Sequence, residues 1–139
     1  MNPITRLPTV VVEADGSALP ADAMLSLADV RVQQRLSLPT LCELTFRDPL
    51  EPLTVAGALS PGTSVQVSIE GHDIPLFAGQ VTAVEHVYGT DRCHDVRIRA
   101  YDLLHRLRKR QSVRVHLEVT PRDLAANLAS DLGVNSLLA

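Results

Sequence analysis

Short runs in which apolar and polar residues alternate one by one occur along most of this 139-residue chain. Cys42, Leu44 and Phe46 alternate with polar neighbours, and so do Val96 and Ile98. Because successive side chains of a strand point to opposite faces, each run predicts a strand with one buried and one solvated face. The core is therefore expected to be built mainly by a β-sheet.

The same pattern predicts about seven strands, at residues 9–14, 25–34, 41–47, 65–70, 74–88, 95–101 and 113–119. A phase slip at 28–29 indicates a β-bulge in the second of these strands. Strand 74–88 is long, contains Gly79 and shifts its apolar phase near Ala83, as a curled barrel strand does. It is expected to pair with strand 65–70 as an antiparallel hairpin.

Two helices are predicted between and after these strands. A short one covers residues 103–108, and a longer one covers 120–132 with a buried leucine stripe. For the longer helix, Thr120 is the expected N-cap and Pro121 the first helical residue. Residues 48–60 contain two prolines and a glycine, so an irregular connection is expected there. The prediction is a single β-dominated α+β domain over 1–139, a partly open antiparallel β-barrel.

Composition narrows the possible functions. Aromatic residues make up 3% of the chain, which leaves little surface on which nucleic-acid bases or sugars could stack. Cys42 and Cys93 are the only cysteines, and each is expected to be a small buried apolar group. The chain has no apolar run typical of a signal peptide or a membrane span, so folding in a cytoplasm and no membrane insertion are expected.

Motifs that would carry catalysis or ligand binding are not evident. The five histidines are scattered along the chain, and Walker A, GxGxxG, HExxH and GxSxG patterns do not occur. His94 and Asp95 lie next to Cys93, but adjacency in sequence does not make a catalytic geometry, and no third partner is evident. Nothing places Glu85 beside Asp102 as a general acid–base pair. The prediction is a protein that is not an enzyme, with no cofactor and no metal.

Charge is distributed unevenly. Before Arg92 there are four bases and eleven acids, a net charge of −7, whereas from Arg92 onward nine bases and five acids give +4. The basic run at 106–110 could indicate nucleic-acid binding, but the pI of about 5.9 and the lack of interleaved aromatics favour contact with an acidic neighbouring protomer. The opposite charges of the two parts suit head-to-tail docking of copies in a ring, and ring contacts are expected on the exposed faces of the long strands and on this helix end. The best candidates in the basic run are Arg106, Arg108, Lys109 and Arg110.

The order of segments from residue 59 to residue 133 resembles the first part of the VgrG and phage late-control D proteins. The resemblance lies in a strand reading FAGQVT at 77–82, a strand ending RIRAYD at 97–102, the short helix, the strand from 113 and the capped helix. It implies that one set of residues has packing roles in a barrel strand and at its junction with the short helix. These residues are Phe77, Gly79, Val81, Tyr101, Asp102 and Leu104.

In that family three copies form a pseudo-sixfold ring that joins a hexameric inner tube to a trimeric spike. The resemblance therefore implies a homotrimeric baseplate hub whose partners are the inner tube protein, other baseplate proteins and the spike tip. It also implies assembly in the bacterial cytoplasm into a phage tail-like particle. Family members continue for several hundred residues more, so the chain is expected to be an N-terminal hub fragment, either truncated or separately encoded.

Two other functions remain open at this point. A standalone β-barrel module could recognise a peptide or protein through an exposed strand edge. A cell-wall hydrolase would suit an injection device, although the sequence shows no catalytic constellation for it.

Overall fold

The computed structural model describes residues 9–109 and 115–133. The chain divides into two compact units, Met1–Asp102 and Leu103–Ala139. The elements of the first unit are β1 (Val10–Ala14), β2 (Ser17–Ala18), α1 (Ala21–Ser26), β3 (Leu27–Gln33), β4 (Leu41–Arg47), α2 (Pro52–Ala58), β5 (Ser64–Ile69), β6 (Phe77–Tyr88) and β7 (His94–Tyr101). Those of the second unit are α3 (Leu104–Lys109) and α4 (Pro121–Leu132).

All seven strands belong to one antiparallel sheet with the order β2-β1-β5-β6-β7-β4-β3. The fold is therefore a β-dominated α+β fold, as predicted. The sheet is not closed into a barrel, because β2 and β3 are its two edges and do not pair with each other.

The bulge predicted in the second strand is present, and the phase shift predicted near Ala83 is a second bulge. In β3 the register with β4 shifts between Leu27 and Asp29, and in β6 the register with β7 shifts between Val81 and Ala83. A bulge inserts one extra residue, so the side chains beyond it change faces. The predicted hairpin of β5 and β6 also forms, although β6 begins at Phe77 and not at residue 74.

The core lies on one face of the sheet. Phe46 and Val96 are fully buried there, and α2 contributes Val55 and the adjoining Leu59, which are 4% and 0% exposed. Residues 48–60 were expected to be irregular, so α2 corrects that prediction. Pro52 opens the helix and Gly57 lies within it, but the burial of two apolar side chains four residues apart outweighs the weak local propensity.

The short elements near the start of the chain were also not predicted. Asp15 and Gly16 both have positive φ, which makes the two-residue turn that lets β2 pair with β1. Helix α1 covers Leu25, which had been assigned to the second predicted strand, and β3 begins only at Leu27.

The predicted strand at 113–119 is wrong for the part that the structure describes, since residues 115–119 form no strand. Val115 and Leu117 are 78% and 79% exposed. Alternation alone does not make a strand, because the backbone groups of a strand must also pair with a neighbouring strand. Residues 113 and 114 lie outside the described residues.

The second unit contains the two predicted helices. Thr120 and Asp123 form a complete capping box at the start of α4, and Gly133 ends the helix in the left-handed conformation with φ 71°. The predicted leucine stripe is not buried, because α4 has no buried residue and Leu128 is 40% exposed. An amphipathic helix needs an apolar surface against it, and the described residues cover this stripe only in part.

Candidate assembly surface

The face of the sheet opposite the core is charged. Where Val96, Ile98 and Ala100 point inward from β7, the alternating residues point outward and are polar. We call this surface the charged face. It is formed by Asp29 on β3, Glu43, Thr45 and Arg47 on β4, Glu85 on β6, and Asp95, Arg97 and Arg99 on β7. These residues line a groove of about 340 Å³.

Opposite charges face each other across neighbouring strands of this face. Arg99 lies directly across from Glu43, with a guanidinium nitrogen 3.4 Å from the carboxylate oxygen Oε1. Arg47 and Asp95 form a second cross-strand pair at 4.0 Å. The side chains of the first pair are 47% and 33% exposed, so the pair stabilises the sheet by at most about 1 kcal/mol. The two exposed pairs therefore contribute little to the stability of the sheet.

Arg97 is a cation of the charged face that is available to bind a group from another molecule. It lies between Thr45 on β4 and Glu85 on β6, yet it forms no ion pair with any described residue. An exposed guanidinium in a groove can bind a carboxylate with two parallel hydrogen bonds. The charged face could therefore accept an acidic group from another molecule.

The sheet also offers strand edges. No described strand pairs with the outer edge of β3. β6 pairs with β5 only from Phe77 to Gln80, whereas its pairing with β7 runs from Gln80 to Tyr88. The later part of β6 therefore projects beyond β5 and has a partner on one side only among the described strands. Unpaired backbone groups on such edges can hydrogen-bond to a strand of another chain.

The predicted basic contacts are on α3 in the second unit. Arg108 and Lys109 are exposed in its last turn, where cations favour the helix dipole, and Arg106 is half-buried. Arg110 lies outside the described residues.

Three of the residues given packing roles lie on β6. Phe77 and Val81 are 3% and 2% exposed and belong to the core. Gly79 lies between them, and a Cβ atom there would overlap the carbonyl oxygen of Tyr101 and the ring of Phe77. Only glycine allows this approach without displacing its neighbours.

The other three lie around the end of β7. Tyr101 is half-buried, and Asp102 forms a two-way connection with Thr40: its N–H donates to the Thr40 carbonyl at 3.1 Å, and its Oδ2 accepts from the Thr40 N–H at 2.9 Å. This pair fixes the chain as it leaves the sheet. Leu104 is 45% exposed, which does not match the packing role implied for it.

The candidate catalytic groups are not brought together. Asp102 bonds to Thr40, whereas Glu85 lies opposite Arg97, so they do not form a carboxylate pair. Cys42 is buried as predicted, and burial, with a smaller contribution from the Glu43 charge, raises the pKa of its thiol to about 12. Cys93 is exposed, which corrects the prediction that it is buried.

Three histidines also depart from the expected surface scatter. His105 is buried, at 8% exposed, and His86 contacts His94. Within residues 9–109 and 115–133, no three or more His, Cys, Asp or Glu side chains are grouped to hold a metal ion. In the same ranges, no helix has the length and apolar character needed to cross a membrane.

Two solved structures of phage tail proteins share this fold. The 43 kDa tail protein of prophage MuSo2 from Shewanella oneidensis superimposes with a TM-score of 0.67 at 14% identity, over 93% of this chain and 40% of that one. A tail protein from Neisseria meningitidis MC58 gives a TM-score of 0.64 at 17% identity, over 89% of this chain and 33% of that one.

No family model and no curated protein matches the sequence. The chain spans less than half the length of either tail protein. At these identities the likeness is one of fold, and the chain has the fold of a segment of phage tail proteins.

Proposed function

We propose that this chain is a structural component of the baseplate hub of a contractile, phage tail-like particle. The observation that supports this most is the likeness to two phage tail proteins over 93% and 89% of the chain. Together with the segment pattern that resembles VgrG and late-control D proteins, it favours the hub, the part that adapts a hexameric inner tube to a trimeric spike. In this proposal the chain has no active site of its own.

A hub acts through its surfaces, and the sheet provides two kinds. The open edge of β3 and the projecting part of β6 can add strands from neighbouring protomers, and backbone hydrogen bonds would then extend the sheet around a ring. The unpaired backbone groups on these edges would set the direction in which neighbouring protomers add, and three copies would close the ring.

The charged face would supply specificity. Its acidic and basic groups alternate across strands, so a partner must present charges in the matching order. Arg97 on this face, and Arg108 and Lys109 on α3, are the groups that we assign to acidic residues of the inner tube protein or of a second copy.

A standalone module that binds a peptide is the second candidate, because the same β3 edge could accept a single peptide strand. The oligomeric state separates the two functions. Light scattering during size-exclusion chromatography should give the mass of three or more copies, or elution together with the inner tube protein. A chain that stays monomeric at all concentrations and does not bind tube protein would contradict the hub proposal and favour the module.

A further inference from the structure

The projecting part of β6 leaves a row of backbone groups without a partner among the described strands. On the β5 side, the last backbone contacts are at Val81, which donates to the Thr63 carbonyl and accepts from the Gly62 N–H, each at 2.9 Å. Residues 82–88 then have a described strand, β7, on one side only. This free stretch is as long as the edge strand β3, which has seven residues.

Hydrogen-bond alternation identifies the groups that face the open side of β6. The Gly89 N–H donates to the Cys93 carbonyl at 2.8 Å, so these two residues form a hydrogen-bonded pair of the β6–β7 hairpin. In an antiparallel ladder such pairs recur at every second residue, so the odd-numbered residues of β6 after the bulge bond to β7. The N–H and C=O groups that point away from β7 are those of Val84, His86 and Tyr88.

The open side of β3 follows from the same alternation. The Asp48 N–H donates to the His94 carbonyl at 2.8 Å, so the even-numbered residues of β4 bond to β7 and the odd-numbered ones bond to β3. Their partners on β3 are also odd-numbered, which leaves the groups of Val30 and Val32 facing outward. Both valines pack against the core, as Val84 of β6 does. The two open edges therefore match: each presents its free backbone groups on core-facing residues.

Strand direction also suits a contact between these two edges. Because the three pairings that lead from β6 through β7 and β4 to β3 are all antiparallel, β3 runs opposite to β6 within one copy. A rotation about an axis parallel to the strands keeps these directions, so β3 of the next copy would lie antiparallel to β6. A contact of this kind joins two different surfaces and can repeat until a ring closes.

Charge selects one register for this contact. Glu85 on the free stretch of β6 and Arg31 on β3 are both exposed, and neither forms an ion pair with any described residue. Placing Arg31 of the next copy opposite Glu85 aligns residues 28–34 with residues 82–88, so nearly the whole of both strands is used. Cβ atoms of directly opposite residues are about 4.5–5.5 Å apart, so the two opposite charges would attract.

Other registers lose this charge pair. Because side chains alternate between faces, a shift that keeps core face beside core face must be by two residues. Such a shift would place either Asp29 or Gln33 of the next copy opposite Glu85. The first choice opposes two carboxylates, and the second replaces the cation with a neutral amide.

We propose that residues 82–88 of β6 pair with β3 of the next copy as antiparallel strands, with Glu85 opposite Arg31 of that copy. The sheet would then continue from copy to copy, with its core face and its charged face each unbroken. This inference rests on the hub function proposed above, and it adds which strands join and in which register.

Disulfide trapping between copies tests the register. Glu85→Cys and Arg31→Cys are combined in the full chain with Cys93→Ser, which removes the exposed native thiol. Oxidised glutathione should then link copies into covalent dimers and trimers, read on non-reducing gels. The control combines Glu85→Cys with Arg35→Cys, because Arg35 is an exposed base beyond the end of β3, and it should remain monomeric on the gel.

Exchange of the two charges provides a second measurement. Glu85→Arg and Arg31→Glu should each weaken association of the copies about fivefold, because each places like charges opposite each other across the contact. The double variant Glu85→Arg/Arg31→Glu should restore association, as measured by sedimentation velocity. Circular dichroism verifies that every variant is folded.

The outcomes separate this inference from the hub proposal. Wild-type rings without a disulfide in the Glu85→Cys/Arg31→Cys chain, or single charge variants that associate as the wild type does, would overturn the register and leave the hub function standing. A wild-type chain that stays monomeric, with no covalent dimer or trimer trapped, would overturn both.

Discussion

The ring of Phe77 lies against Gly79, where a Cβ atom would be only 2.5 Å from the ring carbon Cζ. The same Cβ would be 2.8 Å from the carbonyl carbon of Tyr101, which belongs to the paired strand and cannot move without disturbing the sheet. Gly79 therefore lies where the packing of the core meets the pairing of β6 with β7, and a side chain there would disturb both.

Gly79→Ala should destabilise the protein by about 1–3 kcal/mol, because the added methyl overpacks a fixed site. Urea denaturation should show a lower midpoint. Gly57→Ala is the control: its Cβ would meet no atom within 4 Å, and alanine favours the helix, so stability should stay the same or rise by up to about 1 kcal/mol. Equal midpoints for Gly79→Ala and the wild type would show that the contact is not tight.

The two cysteines should differ sharply in reactivity. Burial raises the pKa of Cys42 to about 12, so almost none of its thiolate forms at pH 8, and the buried sulfur is also inaccessible. Iodoacetamide at pH 8 should therefore modify Cys93 alone in the folded protein, as read by mass spectrometry. In guanidinium chloride both should react. Modification of Cys42 at the same rate as Cys93 under native conditions would contradict the packing of β4.

The N-cap of α4 should lower the pKa that a titration measures for Asp123. Its carboxylate accepts hydrogen bonds from the Thr120 hydroxyl at 2.6 Å and the Thr120 N–H at 3.1 Å, and these bonds lower the Asp123 pKa below its ordinary 3.8. Since the folded pKa is the lower one, the stabilisation is present above pH 3.8 and is lost as the pH falls through the folded pKa.

In Thr120→Ala the Asp123 pKa should move back toward 3.8, which a carboxyl NMR titration measures directly. Thr54→Ala serves as the control, because Thr54 bonds to Glu51 in the other unit. An unchanged Asp123 pKa in Thr120→Ala would mean that the capping box is not formed in solution.

Reversing the charge of Arg97 should weaken assembly without unfolding the chain. Arg97→Glu changes an exposed residue that has no described ion pair, but it places a second carboxylate opposite Glu85, so stability should fall by at most about 1 kcal/mol. Binding to tube protein or to a second copy should fall, and sedimentation measures both. Arg35→Glu makes the same charge change in an exposed turn outside the charged face, and it should assemble normally. Full assembly by Arg97→Glu would show that the charged face does not contact the tube protein or the second copy.

Strands with one buried and one polar side could be predicted from the sequence, since period-two alternation reports the two faces directly. The bulge in β6 was visible as a change of phase near Ala83, and the start of α4 as the Thr120-Pro121 pair. Each of these signals is local, so it does not depend on what the segment packs against.

Features that depend on distant partners could not be predicted. Helix α2 forms because Val55 and Leu59 reach the core, which outweighs its proline and glycine. Residues 115–119 alternate like a strand but form none, because a strand also requires a paired neighbouring strand. The charged face and the His86–His94 pair both arise from cross-strand register, which the sequence alone did not specify.

We propose that this chain is part of the hub of a tail-like particle. Electron cryomicroscopy of the purified native particle, with this chain tagged, tests it most directly. We expect a ring of three copies at the end of the inner tube, between the tube and the spike, with the β6–β7 hairpin and the β3 edge at protomer contacts. Intact particles whose hub contains no density for this chain would contradict it.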